Sequence, residues 1–277
     1  MAIYHLSAKL ISRSAGRSAV GAAAYRSGGV LLDERQGMEH DFSAKDDVIH
    51  SEVMLPEGAP ERLQDRGTLW NEVERTEKRR DAQLAREIEV AIPRELTAKQ
   101  AVALARDFVR DQFVARGMVA DVNVHWSIAE DGSPKPHAHV MLATREVGPE
   151  GFGKKVRAWN AVAELKQWRE AWGDLANTRL AELGYEARID HRSLEAQGIE
   201  LAPQHKIGPA GARREERGED AERAAEHRAI AHANGERIMA DPSIVLRTLT
   251  HQQATFTRDD WRSSFTSIAT GRSSSRA

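Results

Sequence analysis

The chain has 277 residues, 40 Lys and Arg against 42 Asp and Glu, a formal net charge of −2, and no cysteine. That length allows one large domain, or one domain with a tail, and the missing cysteines exclude disulfides, thiolate metal sites and a cysteine nucleophile. No run approaches the ~18 apolar residues of a membrane span, and the opening AIYHLSAKLI interleaves polar residues unlike a signal peptide, so the expectation is a cytoplasmic protein with no membrane insertion.

Charge is unevenly spread. Residues 1–30 carry Lys9, Arg13, Arg17 and Arg26 and no acid; residues 33–61 are acid-rich; Lys154, Lys155 and Arg157 form a further basic group. Basic patches can bind phosphate on a near-neutral chain, solvated faces being the plain alternative.

Residues 3–11 alternate apolar and polar and predict a strand. An alanine-rich helix follows, capped near Ser18 and stopped by Gly28 and Gly29, with Tyr25 on it. Residues 30–60 read as short strands and turns. WNEVERTEKRRDAQLAR reads as a helix with charges on several sides, and REIEVAIP as a strand ended by Pro93. Thr97 caps a helix with Val102, Ala105, Phe108, Val109 and Phe113 on one face, ending at Gly117. Residues 121–128 and 137–145 form a hairpin joined by the turn-forming EDGSPKP. A long helix from about Asn160 to Leu183 sets Leu165, Trp168, Trp172 and Leu175 on one side, and Gly184 closes it. After Pro203 the chain is mostly charge and alanine, and ATGRSSSRA at the end reads as disorder. This order predicts an α+β fold, a central antiparallel sheet flanked by helices, with a charged helical C-terminal extension.

The segment PHAHVML places His137 and His139 two residues apart on a strand, hence on one face. On the partner strand His125 points with Asn123 and Ser127, away from Val122, Val124 and Trp126. Folding the hairpin converges three imidazoles. Three neutral imidazoles leave coordination positions open, as a catalytic cation needs, and nitrogen ligands accept several divalent ions. A carboxylate should stand nearby, and Glu87 and Glu89 share one face of REIEVAIP. Three satisfied histidines and a strand with one wet face are the plain alternatives.

Tyr25 sits among small residues in GAAAYRSGG, with Arg26 beside it, where a phosphate could be contacted. A tyrosine can act as a covalent nucleophile once a metal activates the phosphate. A core tyrosine on an amphipathic helix is the alternative.

These residues together resemble a family. HAH with a third histidine upstream, a tyrosine near residue 25, the opening AIYHLSAKLISRSAGRSAVGAAAYRSG, the central LWNEVERTEKRRDAQLAREIEVAIPRELT, the DVNVHWSI…PHAHVMLATR hairpin and WNAVAELKQWREAWGDLAN are similar to MobA/MobL-type conjugative relaxases, which are HUH single-strand endonucleases. A weaker segment, IDHRSLEAQGIELAPQHKIG, extends the match to about residue 208. The resemblance implies a relaxase domain over 1–208, a charged linker or helix over 209–236, and a truncated, partly disordered extension over 237–277. It implies Tyr25 as nucleophile, His125, His137 and His139 as ligands of a divalent cation (Mn²⁺ or Mg²⁺), and Glu87 as the acid beside them. Single-stranded DNA at an origin of transfer is the implied partner, with accessory relaxosome proteins and a conjugation coupling protein behind it. Arg26, Lys154, Lys155 and Arg157 are the candidate DNA contacts. His5, His191 and His205 receive no role.

The tail RIMADPSIVLRTLTHQQATFTRDD resembles the opening of the helicase part of TraA-type relaxases, but no GxxxxGK[ST] loop is present, so no ATP is expected. Three competing readings stand: a replication initiator with the same nicking chemistry, a metal hydrolase or oxygenase acting on small molecules, which leaves Tyr25 without a duty, and a non-catalytic DNA-binding fragment of a longer relaxase-helicase.

Overall fold

A computed structural model describes residues 4–128, 132–202 and 221–246. The chain divides into two compact units, one of residues 2–129 and 133–185, the other including everything from Glu186. The larger unit is built on a five-stranded antiparallel sheet in the order β1-β5-β7-β6-β4, from β1 (Leu6–Ser12), β4 (Val48–Met54), β5 (Gln83–Ala91), β6 (Ala120–Ile128) and β7 (Pro134–Ala143). Two hairpins, β2 (Val30–Asp33) with β3 (Met38–Asp41) and β8 (Arg145–Gly148) with β9 (Gly151–Lys155), lie outside that sheet. The α+β fold with a central antiparallel sheet is the one the element order predicts.

Four helices belong to this unit: α1 (Ala19–Ser27), α2 (Arg66–Thr76), α3 (Ala98–Gln112) and α4 (Val162–Glu182). Ser18 caps α1, accepting from Gly21 N–H, and Gly28 at φ 63° ends it in the left-handed conformation that glycine adopts without steric cost. Val20 and Ala23 of α1 and Leu69, Trp70 and Val73 of α2 share one buried cluster with Ile11, Val53 and Met141 of the sheet. Thr97 and Gln100 close a reciprocal capping box on α3. Phe108 of α3 meets Trp172 of α4 edge-on at 5.0 Å, and Phe113 meets Trp168 at 5.2 Å. The buried side of α4 is Trp168, Trp172, Gly173, Ala176 and Leu180; Leu165 and Leu175 are only half-buried.

Two elements differ from the sequence reading. The helix expected over 70–86 runs from Arg66 to Thr76, and Gln83 to Arg86 already belong to β5. Asp65 caps it early by accepting from Thr68 N–H, and the Arg13 guanidinium ends it by taking the carbonyls of Glu74, Glu77 and Arg79. The turn before β7 is also shorter than EDGSPKP, because Pro134 and Pro136 are already paired with Ile128 and Trp126. A strand's first residues tolerate proline, and the Pro136 carbonyl accepts from Ile92 N–H at 3.0 Å.

The smaller unit carries α5 (Ala221–Ala240) and an apolar cluster of Ile199, Leu201, Ile238, Ile244 and Val245. The Asn234 amide bonds both backbone groups of Ala202, at 2.9 Å each. The charged helix expected after residue 209 is seen from 221; residues 209–220, His205 and the tail beyond 246 lie outside the described residues. Among the described residues no helix is long and apolar enough to cross a membrane.

Trp172 is fully buried on α4, with Phe108 of α3 edge-on to its ring. Trp172→Ala should therefore cost about 3–5 kcal/mol, read as a lowered denaturation midpoint in urea.

Candidate metal and nucleophile site

Strand register sets the site. β6 opposes β7 with His125 across from His137 and Asn123 across from His139, while β5 opposes β7 with Glu89 across from His139 and Ala91 across from His137. Directly opposed residues share a face, so Glu87, Glu89, His137, His139, Asn123 and His125 all lie on one side. The three imidazole centroids stand 5.2, 4.9 and 5.1 Å apart, and one ring nitrogen from each lies within 4.8 Å of the others.

Each ring is oriented by an oxygen that can only accept. His125 Nε2–H donates to the Arg26 carbonyl at 2.7 Å, His137 Nδ1–H to the Lys135 carbonyl at 2.9 Å, and His139 Nδ1–H to Glu87 Oε1 at 2.8 Å. That leaves a lone pair on Nδ1 of His125 and on Nε2 of His137 and His139. Metal-bound histidines are oriented by outer acceptors in the same way, so this donor set fits a divalent cation with open positions. Burial pushes the His125 imidazole down from 6.5 to about 4, the neighbouring His139 and the Lys45 ammonium adding to the effect. Burial also lowers His137. Both are thus neutral at pH 7, as ligation requires.

Glu87 joins the histidines to α1. Its carboxylate accepts from Arg26 Nε at 2.7 Å and Nη2 at 2.6 Å as well as from His139. Burial alone would raise this carboxyl, but the bonds from His139 and Arg26 outweigh it and hold it below the usual carboxylate range. Arg26 was a candidate DNA contact. Its guanidinium is instead a buried partner of Glu87, with the side chain 12% exposed. The Arg26 carbonyl belongs to the last turn of α1, where carbonyls lack helical partners, and His125 supplies one.

Tyr25 is 48% exposed, so it is no core residue. Its ring meets Phe42 edge-on at 5.2 Å, and Lys45 Nζ lies 4.3 Å from its centroid. Asp47, which the sequence reading overlooked, has Oδ1 3.5 Å from Lys45 Nζ and Oδ2 3.7 Å from His125 Nδ1. A chain of contacts thus runs from the phenol through Lys45 and Asp47 to the histidines. Glu89 pairs with Lys9 at 2.9 Å, and His5 Nε2 is 4.0 Å from it.

The basic group near residue 155 is not brought to this site. Lys155 Nζ donates to the Gln83 carbonyl at 2.7 Å and pairs with Glu77. Gln83 is six residues along β5 from Glu89, which opposes His139, and at ~3.3 Å per residue that is about 20 Å away. Lys154 and Arg157 are exposed on and just after the same hairpin.

The MobA/MobL family profile matches residues 17–217. The chain belongs to the MobA/MobL family. It is 44% identical to mobilization protein MobL of Acidithiobacillus ferridurans, over 80% of this chain and 66% of that protein. It is 35% identical to conjugal transfer protein TraA of Rhizobium radiobacter, over 94% of this chain but 26% of that one, so this MobA/MobL chain spans only part of either relative. A solved structure described as the molecular basis of vancomycin resistance transfer in Staphylococcus aureus aligns with a TM-score of 0.62 and 31% identity, over 69% of this chain and all of the other.

Two outcomes follow. Glu87→Ala strands the buried Arg26 guanidinium, and should destabilise the fold by about 3–5 kcal/mol in chemical denaturation. In metal-free protein, the unfolded His125 takes up a proton below about 6.5 while the folded one waits until about 4. Stability should therefore fall progressively as pH drops through that window, and His125→Gln should reduce the slope.

Proposed function

We propose that this chain is the relaxase domain of a conjugative mobilisation protein, which nicks one strand of plasmid DNA at an origin of transfer through Tyr25 and later reseals it. One observation carries the reading: the Arg26 carbonyl, next to Tyr25, accepts from His125 at 2.7 Å, which fastens the phenol-bearing turn to the histidine cluster. Membership of the MobA/MobL family and the mobilisation and conjugal-transfer names of its relatives support it.

Tyr25 attacks the scissile phosphorus of a single strand, forming a 5′-phosphotyrosyl bond and releasing a 3′-hydroxyl. His125, His137 and His139 would hold a divalent cation, Mn²⁺ or Mg²⁺, which supplies neutralisation of charge on the phosphate. Glu87 holds His139 and Arg26 in place, so the ligand set and the nucleophile's helix share one anchor. One phosphoester replaces another, so the step reverses without ATP. The substrate is single-stranded origin-of-transfer DNA, bound through phosphate contacts and stacking. Accessory relaxosome proteins and a conjugation coupling protein are the partners this role implies, in the cytoplasm.

The test is an oligonucleotide carrying the cognate nick site, incubated with protein and Mn²⁺. A denaturant-resistant species should form, with the added mass on the peptide bearing Tyr25, and Tyr25→Phe should abolish it. His137→Ala should slow nicking by about 10²-fold or more, with DNA binding largely kept. Nicking that survives chelation would overturn the cation's role, and an adduct that forms in Tyr25→Phe would overturn the nucleophile. A replication-origin oligonucleotide cleaved in preference would point to initiation instead.

A further inference from the structure

The segment between β3 and β4, residues 42–47, frames Tyr25 with three of its own side chains. Phe42 stands edge-on to the phenol ring, the Lys45 ammonium lies over it at 4.3 Å, and Asp47 holds that ammonium at 3.5 Å. The segment is fastened to its surroundings. Phe42 N–H donates to the Gly29 carbonyl, Lys45 N–H to the Phe42 carbonyl, and Trp126 N–H to the Asp47 carbonyl at 2.7 Å. The Lys45 stem packs over Gly28, where an added Cβ would come within 3.5 Å of Lys45 Cβ and 3.2 Å of Val48 Cγ2.

Lysine ammonium groups are strongly hydrated and ordinarily reach into solvent. This one does not: the Lys45 side chain is 20% exposed, while the Tyr25 it faces is 48% exposed. A cation less exposed than the ring it faces reverses the usual arrangement. Asp47 explains why the charge can stay there, but a surface ion pair alone would not seat it on an aromatic face. A half-exposed phenol on a helix end is otherwise free to swing about its χ1 and χ2 bonds, and misplacement of a nucleophile by 1 Å is costly to rate.

We propose that Lys45 is a positioning residue for the nucleophile: its ammonium, tethered by Asp47, holds the Tyr25 ring in the pose from which the phenol attacks. The assignment rests on the nicking function proposed above and adds to it the residue that aims the phenol.

Two variants test it. Lys45→Met keeps the stem and removes the charge; Lys45→Arg keeps a cation that stacks on aromatic rings. Single-turnover nicking in Lys45→Met should fall by about 10- to 100-fold, with oligonucleotide and Mn²⁺ dissociation constants within about threefold of wild type, and Lys45→Arg should recover most of the rate. Uniform 3-fluorotyrosine labelling gives a ¹⁹F signal for each of Tyr4, Tyr25 and Tyr185, the Tyr25 line being assigned by its loss in Tyr25→Phe. That line alone should shift and broaden in Lys45→Met and return in Lys45→Arg. A wild-type rate with an unmoved line overturns the proposal, and so does a rate loss matched by equal loss of DNA or Mn²⁺ binding. Wild-type protein that forms no adduct overturns the nicking function instead, while the fluorine line still decides whether Lys45 seats the ring.

Discussion

The Glu87 carboxylate is the joint on which the site depends. It is buried, yet accepts a two-pronged bond from Arg26 and a third from His139. A charge so placed is tolerable only when its partners are fixed, and here one partner comes from α1 and the other from the middle strand of the sheet. The same turn of α1 returns the connection through the Arg26 carbonyl to His125. Helix and sheet are thus tied twice within one residue of Tyr25, so an exposed phenol stands on a doubly anchored helix end. If Tyr25 is the nucleophile proposed above, its exposure would let it meet a polymer, and the tied helix end would aim it at a single phosphorus.

Much of this was legible in the chain. The period of two in HAH and in DVNVHWSI placed three imidazoles on one sheet face, and the same period put Glu87 and Glu89 on a common face, of which the family resemblance chose Glu87. Ser18 and Gly28 marked the limits of α1 because capping chemistry is local. Tyr25 was picked out by likeness to a family more than by any pattern of its own. What was lost lay where periodicity fails. Charges on several sides of WNEVERTEKRRDAQLAR hid the point at which helix gives way to strand, since Arg13, which ends the helix, comes from over sixty residues earlier. Arg26 looked like a free cation because a sequence shows a charge and not its partner. Lys45 and Asp47 sit in an aperiodic connection, where only coordinates reveal what each side chain faces.

The basic residues after β8 teach a related point. Lys154, Lys155 and Arg157 form a conspicuous group in the sequence, yet Lys155 is spent on Gln83 and Glu77 at the far end of β5. Any DNA lying across the histidines and also touching Lys154 or Arg157 would have to run along the sheet for about 20 Å, a span of several nucleotides.

The alternation that brings His137 and His139 together also restricts how the hairpin can change in length. One residue added between His137 and His139 would set the two rings on opposite faces of the sheet, a total loss from a minimal edit. The connection between Ile128 and Pro134 carries no such constraint. Related chains should therefore vary freely in how many residues they spend there, while the single residue between the two histidines stays fixed.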